Sequence, residues 1–299
     1  MSASKRKNLN NMEVDQNEES SSSDSDDDDD DEGEHPDAYR GNEEVQIDFG
    51  GRSPVDPDAQ GISQLLQRLF LRAHINCNQM ADLIIAQNYV GSVIYQCDDD
   101  GAESETDDEN MVEDGTIFGI TSVLNLSAKK DQPSIGQLRT YIQERAKSHA
   151  TSEVQQQLRE LLDNDQRHVG FLINERFINI PAQISVPLLE NLHEEIEAAK
   201  AKKMKFDFGT LLLLVKFYRK EAKKGKPAED NYTNAEDEFL SEKAKFSFEY
   251  SVASECDSGM SGDWLEGDAV MTPYRKLLAL DANQLPKLVK DIQKYINDE

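Results

Sequence analysis

The segment FGTLLLLVKFYR, Phe208–Arg219, constrains the fold more than any other stretch of this chain. Leu211, Leu212, Leu213, Leu214 and Val215 are apolar without interruption. Successive side chains of a strand point to opposite faces, so this run presents hydrophobic surface on both. Such a strand is stable only inside a sheet whose two faces are covered. The run is also far short of the roughly 20 apolar residues that a membrane helix needs. The expectation is therefore a mixed α/β domain in which both faces of this strand are covered.

Other elements arrange themselves around it. VQIDF, Val45–Phe49, alternates and reads as a first strand. Ile62, Leu65, Leu66, Leu69 and Phe70 fall at the spacing of an amphipathic helix. A second helix follows, with Asn78 as its N-cap and Met80, Leu83 and Ile84 inside. SVIYQC (Ser92–Cys97) and TIFGITSVLNL (Thr116–Leu126) read as strands, so the acidic segment 98–114 becomes a hairpin loop. Ser134 is expected to cap a helix to about Lys147 and Thr151 to cap the next. HVGFLI, His168–Ile173, is a short buried strand. Pro187, tolerated in a first turn, opens a long helix through Leu188, Leu192, Ile196 and Ala199. Lys224–Tyr232 reads as a loop and Asn234 onward as an acidic lead-in. Ala244–Val252 is a half-exposed alternating strand, Leu277–Leu280 another, and Leu285, Leu288, Val289 and Ile292 mark a final helix. The fold class is mixed α/β (α+β), a largely antiparallel sheet flanked by helices. Its layout resembles the GCN5-related N-acetyltransferase fold.

Charge is distributed unevenly. The whole chain carries 59 Asp+Glu against 32 Lys+Arg, a net of −27. Residues 13–44 hold 16 acids and one base, Arg40, and residues 98–114 hold 10 acids and no base. Without these segments the other 250 residues carry a net of only −2. Residues 1–42 read as a disordered acidic, serine-rich tail, too poor in apolar surface to offset ordering entropy. Residues 43–299 read as a single α/β domain. The candidate partner-binding acids are Asp24, Asp26, Asp27, Asp28, Asp29, Asp30 and Asp31 in the tail, with Asp98, Asp99, Asp100, Asp107, Asp108 and Glu109 in the loop. Ser21, Ser23, Ser25, Ser104 and Thr106 each have an acid three residues on. That suits an acidophilic kinase, and phosphate would deepen the charge. Tracts of this sign repel nucleic-acid phosphates and anionic membranes, so neither is an expected partner. Basic proteins are the natural counterpart, drawn in by long-range attraction.

Catalytic chemistry is hard to find. Cys77, Cys97 and Cys256 form no CxxC pair and read as reduced thiols. The N-terminus MSASKRKNLN lacks the apolar core of a signal peptide, and Lys5-Arg6-Lys7 is half of a nuclear-import signal at most. His35, His74, His149, His168 and His193 make no HxxxH or HExxH, and no metal site is expected. An acetyltransferase fold grips acetyl-CoA with a Gln/Arg-x-x-Gly-x-Gly/Ala turn at a helix N-terminus, where free N–H groups hold the pyrophosphate. KKDQPSIGQL is read as that segment. Counting from Gln132, Ile135 stands at the glycine position, so no cofactor is expected and an acetyltransferase is the disfavoured alternative.

FLINERFINIPAQISVPLLENL (Phe171–Leu192), NAEDEFLSEKAKFSFEYSV (Asn234–Val252) and VMTPYRKLLAL (Val270–Leu280) closely resemble the BCCIP family, over most of residues 43–299. Glu175, Arg176, Phe177, Ile178 and Pro181 carry the most specific part of the likeness. For Phe177, Ile178 and Ile180 a place in the core is the first expectation and a partner groove the second. The resemblance implies an acetyltransferase-like fold without a working cofactor site, and a nuclear protein that shuttles to the cytoplasm. It also implies a non-enzymatic chaperone or adaptor for a basic ribosomal protein in large-subunit biogenesis and nuclear export. The alternative it implies is an interaction hub in DNA repair, cell-cycle control and spindle or centrosome organisation, with a recombination mediator and a cyclin-dependent kinase inhibitor as partners.

Overall fold

The computed structural model describes residues 48–97, 116–164, 166–222, 227–256 and 271–298. In chain order they form β1 (Asp48–Arg52), α1 (Ala59–Phe70), α2 (Cys77–Ile85), β2 (Ser92–Cys97) and β3 (Gly119–Asn125). There follow α3 (Pro133–His149), α4 (Ser152–Asp163), β4 (His168–Arg176), α5 (Ser185–Ala201) and β5 (Phe208–Lys220). The chain continues through β6 (Glu229–Tyr232), α6 (Ala235–Lys243), β7 (Phe246–Ser251), β8 (Met271–Asp281) and α7 (Leu285–Asp298).

One sheet joins all eight strands in the order β1-β2-β3-β4-β5-β8-β7, with β6 paired to the far end of β5. The long apolar strand is β5, and it lies inside the sheet as its composition requires. It pairs antiparallel with β8 from Thr210↔Asp281 to Lys220↔Met271. On its other side it pairs parallel with β4, through a crossover that contains α5. Every other described pairing is antiparallel.

The two faces of β5 feed two cores. Leu212 and Leu214 join Phe171, Ile120 and Leu124 beneath α1, α2, α3 and α4. Leu211, Leu213 and Val215 join Leu172, Leu278 and Leu280 beneath α5, α6 and α7. The covering helices are amphipathic, α1 burying Ile62, Leu65, Leu66, Leu69 and Phe70 as its spacing predicts. The result is a helix–sheet–helix sandwich, the mixed, largely antiparallel α/β class anticipated from the pattern.

Several local boundaries differ from expectation. The first strand begins at Asp48 and runs on through Gly50 and Gly51 to Arg52; the earlier residues of Val45–Phe49 lie outside the described set. α2 is capped by Asn76, which accepts from the Gln79 N–H at 3.0 Å. Asn78 is inside that helix, where its Oδ1 accepts from the Ser63 hydroxyl at 2.6 Å. α3 starts at Pro133, suited to a first helical position, and Ser134 is buried without capping. Thr151 does cap α4, accepting from the Val154 N–H. The expected loop Lys224–Tyr232 ends in a strand, β6. Its polar sequence hides this, because cross-strand side chains hold it: Arg219 donates to Asp230 at 2.6 and 2.8 Å, and Tyr232 stacks on Phe217. Asn234–Lys243 is helical for most of its length, and β8 starts six residues before Leu277.

Candidate functional site

The parallel pair β4–β5 places the site. Pairing holds from His168↔Phe208 to Leu172↔Leu213 and then stops. Ile173, Asn174, Glu175 and Arg176 have β3 as their strand partner, opposite Ser122, Thr121, Ile120 and Gly119. A crevice therefore opens at the carboxyl ends of two parallel strands. In open α/β sheets that is where ligands bind.

Here the crevice is filled by the protein itself. Asn174 and Arg176 are two residues apart and face the same side of β4. Both meet Glu236 on the first turn of α6. Arg176 forms a two-pronged ion pair with the Glu236 carboxylate, and Asn174 Nδ2 donates to Glu236 Oε1 at 2.8 Å. Thr121 in turn donates to Asn174 Oδ1 at 3.0 Å. On the opposite face Glu175 pairs with Lys216 of β5. Glu236 is fully buried, and Asn174, Glu175, Arg176, Asn234 and Asp237 are nearly so. Two-pronged guanidinium–carboxylate pairs fix orientation as well as charge.

Asp237 completes the plug. Burial, then the nearby carboxylates of Glu236 and Glu175, push its pKa well above the carboxylate range. Asn234 Nδ2 donates to Asp237 Oδ2 at 2.9 Å. The Oδ1 atoms of Asn234 and Asp237 are both buried without a partner among the described residues. A proton on Asp237 converts one of these acceptors into a donor. With it, the cluster of Glu175, Arg176, Lys216, Glu236 and Asp237 is electrically neutral.

Beyond Arg176 the chain turns outward, and the family-like residues part company. The Phe177 ring lies under the Arg68 guanidinium, 4.4 Å from ring centre to carbon, and edge-on to Phe118. Ile180 is buried with Ile94 and Leu188. Ile178, by contrast, is 80 % exposed. The core expectation holds for Ile180, Phe177 is half-buried at the edge of the core, and Ile178 belongs to the surface. Ile178 and Pro181 line an open groove of about 680 Å³, whose far wall is Glu229–Thr233, Ala235 and Glu238.

The acidic candidates Asp24, Asp26–Asp31, Asp98–Asp100, Asp107, Asp108 and Glu109, and the candidate phosphosites Ser21, Ser23, Ser25, Ser104 and Thr106, lie outside the described residues. Their attachment points are described. The chain enters the sheet at Asp48, opposite Cys97, after which the 98–114 segment departs. Gly119, where β3 begins, is opposite Arg176. β1 thus begins, and β2 ends, at the same end of the sheet as the plug and groove. Sequence reading missed Lys216, Asn234, Glu236 and Asp237 altogether. The available signal was the acidic NAED stretch, whose residues form the start of α6.

The cofactor turn needs a correction. KKDQPSIGQL connects β3 to α3, and Asn125 at the end of β3 is opposite Gly170 near the start of β4. It therefore sits at the wrong end of the parallel strands, and Ile135 is a fully buried core residue. The turn at the carboxyl ends of the parallel strands is the one ahead of α5, Phe177–Ile184. Counted from Arg176, its two small-residue positions hold Asn179 and Pro181. Proline has no N–H to offer, and the adjoining crevice is occupied by the carboxylates of Glu236 and Asp237. These residues do not fit a pyrophosphate. Among the described residues no cluster of metal-binding side chains occurs, and no helix is long and apolar enough to cross a membrane.

Comparison with known proteins follows the same lines. The family model described as BCCIP matches residues 44–248. The chain is 81 % identical over 299 residues, all of both chains, to "Protein BCCIP homolog" of Drosophila melanogaster. It is 35 % identical over 265 residues to "BRCA2 and CDKN1A-interacting protein" of Bos taurus, covering 86 % of this chain and 85 % of that one. Among solved structures, the crystal structure of BCP1 from Saccharomyces cerevisiae superposes with a TM-score of 0.54 at 18 % identity, covering 87 % of this chain and 93 % of that one. That likeness establishes the shared fold.

Proposed function

The chain belongs to the BCCIP family, and from that premise we propose that this binding or adaptor protein acts as a non-catalytic chaperone for a basic ribosomal protein of the large subunit. The observation that carries the reading is the filled crevice. Where an α/β enzyme of this layout would admit a ligand, Arg176, Glu236 and Asp237 occupy the space, and the outward surface beside them is acidic. Such a surface suits a polypeptide carrying lysine and arginine better than a phosphate-bearing cofactor.

In this reading the acids at 24–34 and 98–114 act as stand-ins for rRNA phosphates, covering the partner's RNA-binding surface until delivery. Exposed charges act over only about 8 Å at physiological salt. The acidic segments therefore set encounter rate and shielding, and the folded surface sets specificity. Shuttling from nucleus to cytoplasm is the corresponding location. The test uses purified large-subunit ribosomal proteins with the full chain and with both acidic segments deleted. The expected result is that one of them is kept soluble by the full chain, in a salt-dependent complex that the deletion weakens. Unchanged salt dependence and solubility protection after deletion would remove the shielding mechanism, and no binding by the full chain would remove the chaperone role.

A second reading is favoured by the names of the relatives. Proteins called BRCA2- and CDKN1A-interacting in Bos taurus and Homo sapiens point to a recombination mediator and a cyclin-dependent kinase inhibitor as partners. A hub of that kind predicts normal pre-ribosome profiles and failed damage repair when the protein is lost. Acetyl-CoA titration by calorimetry addresses the acetyltransferase alternative, with no heat of binding expected.

A further inference from the structure

We infer that the groove between the Phe177–Ala182 turn and Glu229–Glu238 is the docking surface for an extended, lysine- or arginine-rich segment of a partner protein, with Ile178 its apolar contact and Glu238 its principal charged one. This deepens the chaperone reading and rests on it for the class of partner; the surface itself follows from shape, backbone and charge.

The groove holds about 680 Å³ and is open along its length, within the range of sites that hold sizeable ligands. One wall is β6, which among the described residues pairs with β5 alone. A strand with an unpaired edge is a template for another extended chain, main-chain hydrogen bonds supplying affinity and alternate side chains specificity. A partner strand laid along β6 directs every second side chain toward the opposite wall, where Ile178 stands with Pro181. A single exposed isoleucine is unremarkable by itself. This one projects from a turn whose neighbours Phe177 and Ile180 are anchored, so its backbone is held in place.

Charge selects a cationic occupant. The only cation lining the groove among the described residues is Arg176, and both its prongs are taken by Glu236. Asp230 is held by Arg219, and Glu229 has Lys220 at 3.8 Å. Glu238 is exposed and makes no ion pair among the described residues. A lysine or arginine entering the groove therefore meets an unneutralised carboxylate, while an acidic peptide or a nucleic acid meets only repulsion.

The probe is a fluorescein-labelled peptide of alternating lysine and valine, with its glutamate–valine counterpart as control. Both are titrated against the full chain by anisotropy and followed by hydrogen exchange. The expected result is binding of the basic peptide alone, with slowed exchange at Glu229–Thr233. Ile178→Arg should weaken it at least about fivefold, the scale of a contact that matters at an interface. Glu238→Lys should weaken it severalfold and flatten its salt dependence. Both positions are exposed, so unchanged thermal melting is expected to show that the variants fold. Wild-type affinity in both variants, absence of binding, or exchange slowed elsewhere overturns the inference. Self-association that protects β6 without peptide overturns it too, making a second copy the occupant. Peptide binding in the groove without ribosomal-protein binding sinks the chaperone reading and leaves the groove. Ribosomal-protein binding indifferent to Ile178→Arg does the reverse.

Discussion

The two halves of β4 are equally buried and chemically opposed. Val169, Phe171 and Leu172 are apolar, lie against β5 and feed both cores. Asn174, Glu175 and Arg176, a few residues on, are scarcely more exposed, yet all are polar and the last two carry charge. What changes between the halves is the neighbour. Where β5 stays alongside, backbone pairing and apolar packing suffice. Where β5 departs, the unpaired side of β4 must be covered by something able to hydrogen-bond, and the first turn of α6 does this. Burial alone therefore says little about how a segment holds together. The apolar half gains from each side chain removed from water, at about 25 cal/mol per Å². The charged half gains little net over an apolar filling, but its members depend on each other.

That contrast can be broken at four points. Arg176→Ala strips the partner from the fully buried Glu236 and should cost about 3–5 kcal/mol in urea denaturation. A loss below about 1 kcal/mol would mean that the pair is not closed in solution. In the apolar half, Gly170→Ala should cost about 1–3 kcal/mol by overpacking. Its Cβ would stand 2.7 Å from both Leu211 Cδ2 and Val123 Cγ2, against 3.2 Å for Phe208 Cδ1. Asp237 gives the contrast a pH dependence. The folded protein holds that proton to higher pH than the unfolded chain, whose ordinary value is 3.8. Its contribution to stability is thus full below 3.8 and falls as pH rises toward the folded-state value. Asp237→Asn imitates the protonated acid, keeping a neutral side chain with a donor at that position. Denaturation midpoints measured from pH 4 to 8 should lose this decline in the variant. The smallest effect belongs to Ile178→Ser, within about 0.5 kcal/mol in stability, which separates this surface residue from the buried Ile180 two positions on.

Periodicity made the frame of the fold legible. The unbroken apolar run of β5, the helical stripe of α1 and the alternation of Phe246, Phe248 and Tyr250 each state which faces are covered. The plug was not legible, because polar residues report burial only through their partners. Arg176 and Glu236 are 60 residues apart, and no local pattern joins them. β6 was hidden for a related reason, its residues Glu229–Tyr232 being strand only through Arg219 and Phe217 across from them. The misplaced cofactor turn shows a third limit. Reading β3–α3 as the phosphate segment required knowing which strands are parallel, which is a property of the sheet and not of any segment. The likeness around Glu175–Pro181 marked the right place without revealing that it holds an ion pair, a buried Ile180 and an exposed Ile178.

The strand order has a consequence for synthesis. β8 lies between β5 and β7, yet it is made after both. As the chain leaves the ribosome, β5 waits with the edge that will take Thr210↔Asp281 through Lys220↔Met271 still bare, and β7 waits with no strand to join. Non-local pairings of this kind form late and leave edges open to association meanwhile. Loss of the segment from Met271 onward would therefore take out an interior strand, parting β7 from the sheet and baring the most hydrophobic strand in the molecule. Completion of this fold is gated by its final hairpin and helix, so a stalled or shortened chain would present to its surroundings a half-built sheet.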